Sequence, residues 1–251
     1  MLRPRSIRGV RPYAPEDVHW RLAEYYGPVH WERRLDPIAE LVGTILSQHT
    51  SDLNSGRAFK AMVERFGAWE AVLQADVGEL TDVIRHGGLA VQKAPRIQAV
   101  LREVLERRSE LNIDFLKELP IVEAKAWLKS LPGVGPKTAA VVLSFALGVP
   151  AFPVDTHIFR VAGRLGLIGP KVSADEAHDV LEEAIAPELV YPMHVYLITH
   201  GRQVCKAQRP RCTSCPLSER CPSMGLYASA VKPSATRAKI GRTMHGGALA
   251  R

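Results

Sequence analysis

Between Asp36 and Gly201 the apolar residues return every third or fourth position and never settle into alternation. Ile38, Leu41, Val42, Ile45 and Leu46 are one such run, with the period of a helix that buries one face. No stretch alternates as a half-buried strand would, and no repeat of constant period emerges, so the chain is expected to be all-α. Punctuation residues divide it. Asp36-Pro37 predicts a helix start, with an aspartate N-cap and a proline in the first turn. That helix should end in the polar Ser47-Gln48-His49-Thr50 loop. From Asp52 a second helix carries Ala58, Met62, Val63 and Phe66 on one stripe and stops at Gly67. Shorter helices are expected over Ala68–Gln74 and Val77–Arg85, a longer one over Gln92–Arg108, and another over Ile121–Ser130. Ser173 with Glu176 reads as a capping box, and Pro192 opens a helix reaching Gly201. Near the N-terminus, Glu16–Tyr26 predicts a short helix with Trp20, Ala23 and Tyr26 on its apolar face.

The net charge is +7. Residues 1–15 hold Arg3, Arg5, Arg8 and Arg11 without an acid, and residues 226–251 hold Lys232, Arg237, Lys239, Arg242 and Arg251, again without one. These nine charges exceed the total, so the body between the ends is slightly acidic. Both ends are expected to be disordered basic tails suited to a polyanion. No apolar run approaches the roughly 18 residues of a membrane span, and the N-terminus lacks the apolar core of a secretory signal. The expectation is a soluble, cytoplasmic protein.

The stretch from Leu131 to His157 carries chemistry. Gly133 and Gly135 flank Val134 and let the backbone turn tightly and approach another surface. Pro136 then opens a helix whose free N–H groups and dipole make a phosphate site. Lys137 stands in that first turn, an amine beside a local positive potential and a candidate nucleophile. Asp155 precedes a further apolar helix and reads equally as its N-cap. A helix from Lys137 to Leu147 travels about 15 Å, and the seven residues Gly148–Val154 span up to about 23 Å if extended. The chain is therefore long enough to return Asp155 to the level of Lys137.

Cys205, Cys212, Cys215 and Cys221 lie within seventeen residues, spaced C-x6-C-x2-C-x5-C. In a chain without an export signal, four such thiols point to a metal centre rather than disulfides. Spacing leaves zinc and an iron–sulfur cluster both open, although the x6 gap departs from the usual paired CxxC layout of zinc. Lys206, Arg209, Arg211 and Arg220 decorate the same loop as candidate phosphate contacts.

Taken together, LPGVGPKTA, VDTHIFRV, HGRQVC and the cysteine spacing resemble endonuclease III, the iron–sulfur branch of the helix-hairpin-helix DNA glycosylases, over about residues 20–222. The resemblance implies two helical domains with DNA bound in the cleft between them. A six-helix barrel would occupy 31–149 with the hairpin at 131–137, and a cluster domain would combine 16–30 with 150–225. It further implies a [4Fe–4S] cluster on the four cysteines and a monomer acting on double-stranded DNA. Lys137 would attack C1′ of a flipped-out damaged nucleotide with help from Asp155, and a Schiff base would lead to β-elimination. The lysine separates this branch from relatives with serine or tyrosine there, which are mainly monofunctional. Removal of oxidised pyrimidines is the expected activity. The alternatives are a noncatalytic or weakly active damage-binding iron–sulfur protein and a monofunctional mismatch or uracil glycosylase.

Two places depart from the family pattern. The loop that fills the gap left by the flipped base reads LSxQxxD in endonuclease III and Leu46-Ser47-Gln48-His49-Thr50-Ser51-Asp52 here, so His49 takes the plug position and Gln48 is displaced by one. Pro136 replaces a basic residue, which removes an N–H and a charge beside the clamp. The second wedge, Gly88-Leu89-Ala90-Val91-Gln92-Lys93-Ala94, matches the family's leucine loop, with Leu89 and Lys93 as DNA-facing candidates.

Overall fold

The computed structural model describes residues 12–227; apart from 12–15 and 226–227, the expected basic tails lie outside them. Among the described residues there is no strand, as the absence of alternation predicts. The chain divides into two compact units, Trp31–Pro153 and Met1–His30 with Val154–Arg251.

The central element of the first unit is α2 (Pro37–Ser47), in which every residue from Pro37 to Leu46 is buried. A helix apolar on all sides belongs in the middle of a core. Here α3 (Asp52–Phe66), α6 (Ala90–Arg108) and α8 (Pro136–Val141) pack around it, with α4 (Trp69–Gln74), α5 (Val77–Val83) and α7 (Ile121–Lys129) completing the shell. Its start is the one expected, because the Asp36 carboxylate accepts the Ala39 N–H at 2.9 Å. The residues Val142–Ala146 continue α8 as a π-helix. Such a turn leaves carbonyls in altered positions, and the Trp31 indole N–H is 2.8 Å from the Ser144 carbonyl and 3.2 Å from that of Phe145.

The second unit holds α1 (Pro15–Tyr26), α9 (Thr156–Leu165), α10 (Glu176–Ala184), α11 (Val190–Gln203) and the cysteine loop, which runs to α12 (Met224–Tyr227). At the crossing of α9 and α11, a Cβ on Gly201 would lie 2.9 Å from that of His157, so only glycine permits the approach. The buried face of α1 is made by Val18, His19 and Leu22, whereas Trp20 is 65% exposed. The expected Trp20–Ala23–Tyr26 face is thus rotated, because Val18 and Leu22 form the apolar i, i+4 pair that goes inward. In α3, Val63 is exposed while Ala58 and Met62 are buried, which narrows the expected stripe. The capping box forms: the Ser173 N–H donates to Glu176 at 2.8 Å and the Glu176 N–H to Ser173 Oγ at 3.2 Å.

Candidate nucleic-acid interface and cysteine centre

The hairpin is a turn hung from its apolar residues. Leu131 and Val134 are buried, and the Val134 N–H donates to the Leu131 carbonyl at 3.2 Å. Val134 therefore anchors the hairpin from inside; neither its side chain nor its N–H is free for a phosphate, contrary to the expectation for it. Gly133 takes a φ of 71°, the left-handed region. A Cβ on it would overlap the Arg96 side chain and lie 3.1 Å from the Arg96 Cζ. Gly135 is different. Its φ of −95° and ψ of 179° suit any residue, and a Cβ there would meet nothing within 4 Å. Neither conformation nor internal packing requires a glycine at 135. Pro136 opens α8, and the N–H groups of its first turn have no partner within the helix. Lys137 projects from that turn into solvent.

Two loops meet beside the hairpin. The first ends α2 with Gln48, half-buried, and His49, exposed at a φ of 54°. The second carries Leu89, 48% exposed at a φ of 52°. Four non-glycine residues among those described have positive φ: His49, Leu89, Arg209 and Ser109. Ser109 is an ordinary helix C-cap, and the other three are residues singled out from the sequence as DNA contacts. Left-handed backbone at non-glycine residues costs about 1–3 kcal/mol and gathers at functional sites. Leu89 is the costliest of them, lacking the local hydrogen bond that a polar residue can make there.

Lys93 is not a surface contact. It is 2% exposed, and its ammonium donates to the Leu46 carbonyl at 2.7 Å and the Gly87 carbonyl at 2.9 Å. Burial, and then the adjacent Arg96 charge, hold its pKa below the usual lysine range. The expectation that Lys93 faces DNA is corrected on this ground: the amine is consumed in tying the end of α2 to the leucine loop.

In the second unit Asp155 caps α9, its Oδ1 accepting the Ile158 N–H at 2.7 Å. Cys205, Cys212, Cys215 and Cys221 are free thiols lining one cavity of about 30 Å³. Among the described residues no three ligand groups converge as a single metal ion would need. The surrounding donors nevertheless suit thiolates: the Leu217 N–H is 3.4 Å from Cys215 Sγ, and the Arg164 guanidinium is 3.4 Å from Cys205 Sγ. His200 lies 3.4 Å from Cys215 Sγ through Nε2 and 3.1 Å from the Tyr26 hydroxyl through Nδ1. Burial pushes His200 down to about 4, so the ring is neutral. Burial, together with the neighbouring thiols, pushes Cys215 up to about 12 and raises Cys212 and Cys221 as well. Around them Lys206, Arg209 and Arg211 are exposed. Arg220 turns inward to Asp17 at 3.1 Å and lies over the Tyr13 ring, so it is not part of that basic edge.

The profile of the HhH-GPD superfamily base excision DNA repair proteins matches residues 42–187. Endonuclease III of Thermotoga maritima is 34% identical over 189 residues, 75% of this chain and 84% of that one. The enzyme of the same name from Treponema pallidum is 35% identical over 207 residues, 82% and 92% of the two chains. The chain belongs to the endonuclease III-like DNA glycosylases of the HhH-GPD superfamily. It spans 65% of the length of a further relative, an Arabidopsis thaliana protein whose name marks it as a candidate DNA glycosylase, at 36% identity over 191 residues, 74% of this chain. A solved non-covalent endonuclease III–DNA complex superposes with a TM-score of 0.73 at 31% identity, covering 87% of this chain and 100% of that one.

This endonuclease III-like chain carries site residues that the sequence did not reveal. Arg96 reaches the hairpin from α6, and nothing in its sequence neighbourhood distinguishes it from a solvated helix arginine. Arg164 holds the carbonyls of Lys206 at 2.7 Å and Ala207 at 3.1 Å. His200 sits five residues before Cys205, and its place in HGRQVC was the available signal.

Proposed function

We propose that the chain is a bifunctional glycosylase and abasic-site lyase that removes oxidised pyrimidines from duplex DNA. The observation that carries the reading is Lys137, a solvent-facing amine in the first turn of α8, directly behind a hairpin whose Gly135 is kept open toward the outside. The Lys137 Nζ lone pair attacks C1′ as the N-glycosidic bond breaks and the base leaves with its electron pair, to be protonated. Loss of a proton from nitrogen and opening of the sugar give the imine. Removal of a C2′ proton then expels the 3′ phosphate, nicking the strand and leaving the protein joined to the sugar until water hydrolyses the imine. Asp155 is the carboxylate assigned to support the charge that develops at the sugar; its Oδ2 is not used in capping α9. His49 and Leu89 enter the duplex where the nucleotide has left.

Cys205, Cys212, Cys215 and Cys221 would hold a [4Fe–4S] cluster, whose charge permits four thiolates in one cavity. With the loop so fixed, Lys206, Arg209 and Arg211 form a rigid edge for DNA phosphates. Incubation with an abasic-site duplex and borohydride, beside Lys137→Ala, tests the reading. A covalent adduct that the variant loses supports it, whereas tight binding with no adduct returns the protein to the monofunctional or noncatalytic class.

A further inference from the structure

Arg96 is a cation whose place in the first unit is set by the hairpin. Its stem crosses the face of Gly133 where a Cβ would otherwise sit. Its Nη1 donates to Gln48 Oε1 at 3.0 Å, and Gln48 Nε2 donates to the Gly133 carbonyl at 3.3 Å. Guanidinium, amide and hairpin backbone thus close a ring that holds Arg96 against the turn. No carboxylate pairs with it among the described residues, and its charge acts on the like charge of Lys93. Two adjacent cations without an acid repel each other, and Lys93 is already committed to carbonyls. The remaining charge lies beside a hairpin that Pro136 has deprived of both a side-chain cation and an N–H. Gln48 meanwhile is occupied internally and leaves the plug position to His49.

We infer that Arg96 is a DNA-backbone contact of the hairpin, a guanidinium held by Gln48 at the place where the clamp lacks a cation. The inference rests on the proposal that this face binds DNA. A phosphate oxygen accepts from the guanidinium N–H groups that Gln48 leaves unused, while Gln48 fixes the orientation.

The test is the salt dependence of affinity for a duplex bearing a stable abasic analogue, comparing the full chain with Arg96→Met and Arg96→Gln between 50 and 200 mM salt. Each phosphate contact contributes roughly 0.9 to the slope of log K against log salt. Loss of one contact should lower the slope by about one, with Kd raised about tenfold at the low-salt end. Should Arg96→Met fail to fold, Arg96→Gln carries the same comparison with a side chain that can still bond Gln48. An unchanged slope, with or without weaker binding, overturns the inference and leaves Arg96 as a brace for the turn. Because the unsubstituted protein is trapped with borohydride in parallel, loss of the lyase reading is seen separately: a missing adduct with a lowered slope in the variant rejects lyase chemistry and keeps Arg96.

Discussion

Replacing Gly135 with alanine separates a glycine kept for folding from one kept for a partner. At a φ of −95°, with no atom within 4 Å of the added Cβ, the folded protein gives nothing up. The unfolded chain loses conformational freedom, so stability should rise by about 0.4–1 kcal/mol. Against DNA the methyl group would occupy the space through which a phosphate reaches the first-turn N–H groups of α8. Loss of one hydrogen bond to a charged group is worth about 1.5–3 kcal/mol, or roughly 10- to 150-fold in Kd. Gly133→Ala provides the contrast: its φ of 71° and its overlap with Arg96 place the cost in the fold, at about 1–2 kcal/mol for the backbone alone. Urea unfolding and fluorescence anisotropy with an abasic-analogue duplex measure the two quantities on the same samples. If Gly135→Ala unfolds more easily, or binds DNA as tightly as the parent, the hairpin is not the phosphate clamp described above.

Further outcomes follow from the same geometry. Lys93→Met should lower stability by about 2–4 kcal/mol by stranding the Leu46 and Gly87 carbonyls, read in thermal melts, and should leave the salt slope of DNA binding unchanged. Leu89→Gly should stabilise the fold by about 1 kcal/mol by relieving left-handed backbone yet weaken binding to damaged duplex, a trade visible when melts are set beside anisotropy. Gly201→Ala should destabilise by about 1–3 kcal/mol because α9 and α11 must separate at His157. Hydrogen bonds from Ser173 hold the Glu176 carboxyl below its usual range. The stabilisation is therefore present above the ordinary carboxylate pKa and lost as pH falls through the folded value, so amide protection at the start of α10 should decline there in the parent and not in Glu176→Ala.

The helical class was legible because periodicity reports burial, and a run such as Ile38–Leu46 has one way to bury its residues. The placement of Lys137 in a first helical turn, of Asp155 at an N-cap and of the cysteines around one cavity was legible because their neighbours are punctuation: glycines around a turn, a proline at a helix start, a fixed thiol spacing. Lys93 was misplaced because charge normally reports solvent, and nothing local says that the carbonyl of Leu46, 47 positions away, will join that of Gly87 on its amine. The face of α1 was misassigned because aromatic mass suggests burial, although Val18 and Leu22 fill the space more compactly than Trp20. Arg96 escaped notice because its partners, Gln48 and Gly133, are separated from it by 48 and 37 positions and only the fold brings them together.

The Lys93 ammonium has a mechanical consequence. One buried group grips the carbonyl that ends α2 and the carbonyl that starts the leucine loop, so His49 and Leu89 ride on a common mount. A push on either tip is transmitted to the other through two short hydrogen bonds rather than absorbed by a flexible loop. A duplex meeting this face would therefore encounter a two-pronged tool of fixed spacing, with most of the cost of ordering its prongs met when the protein folded.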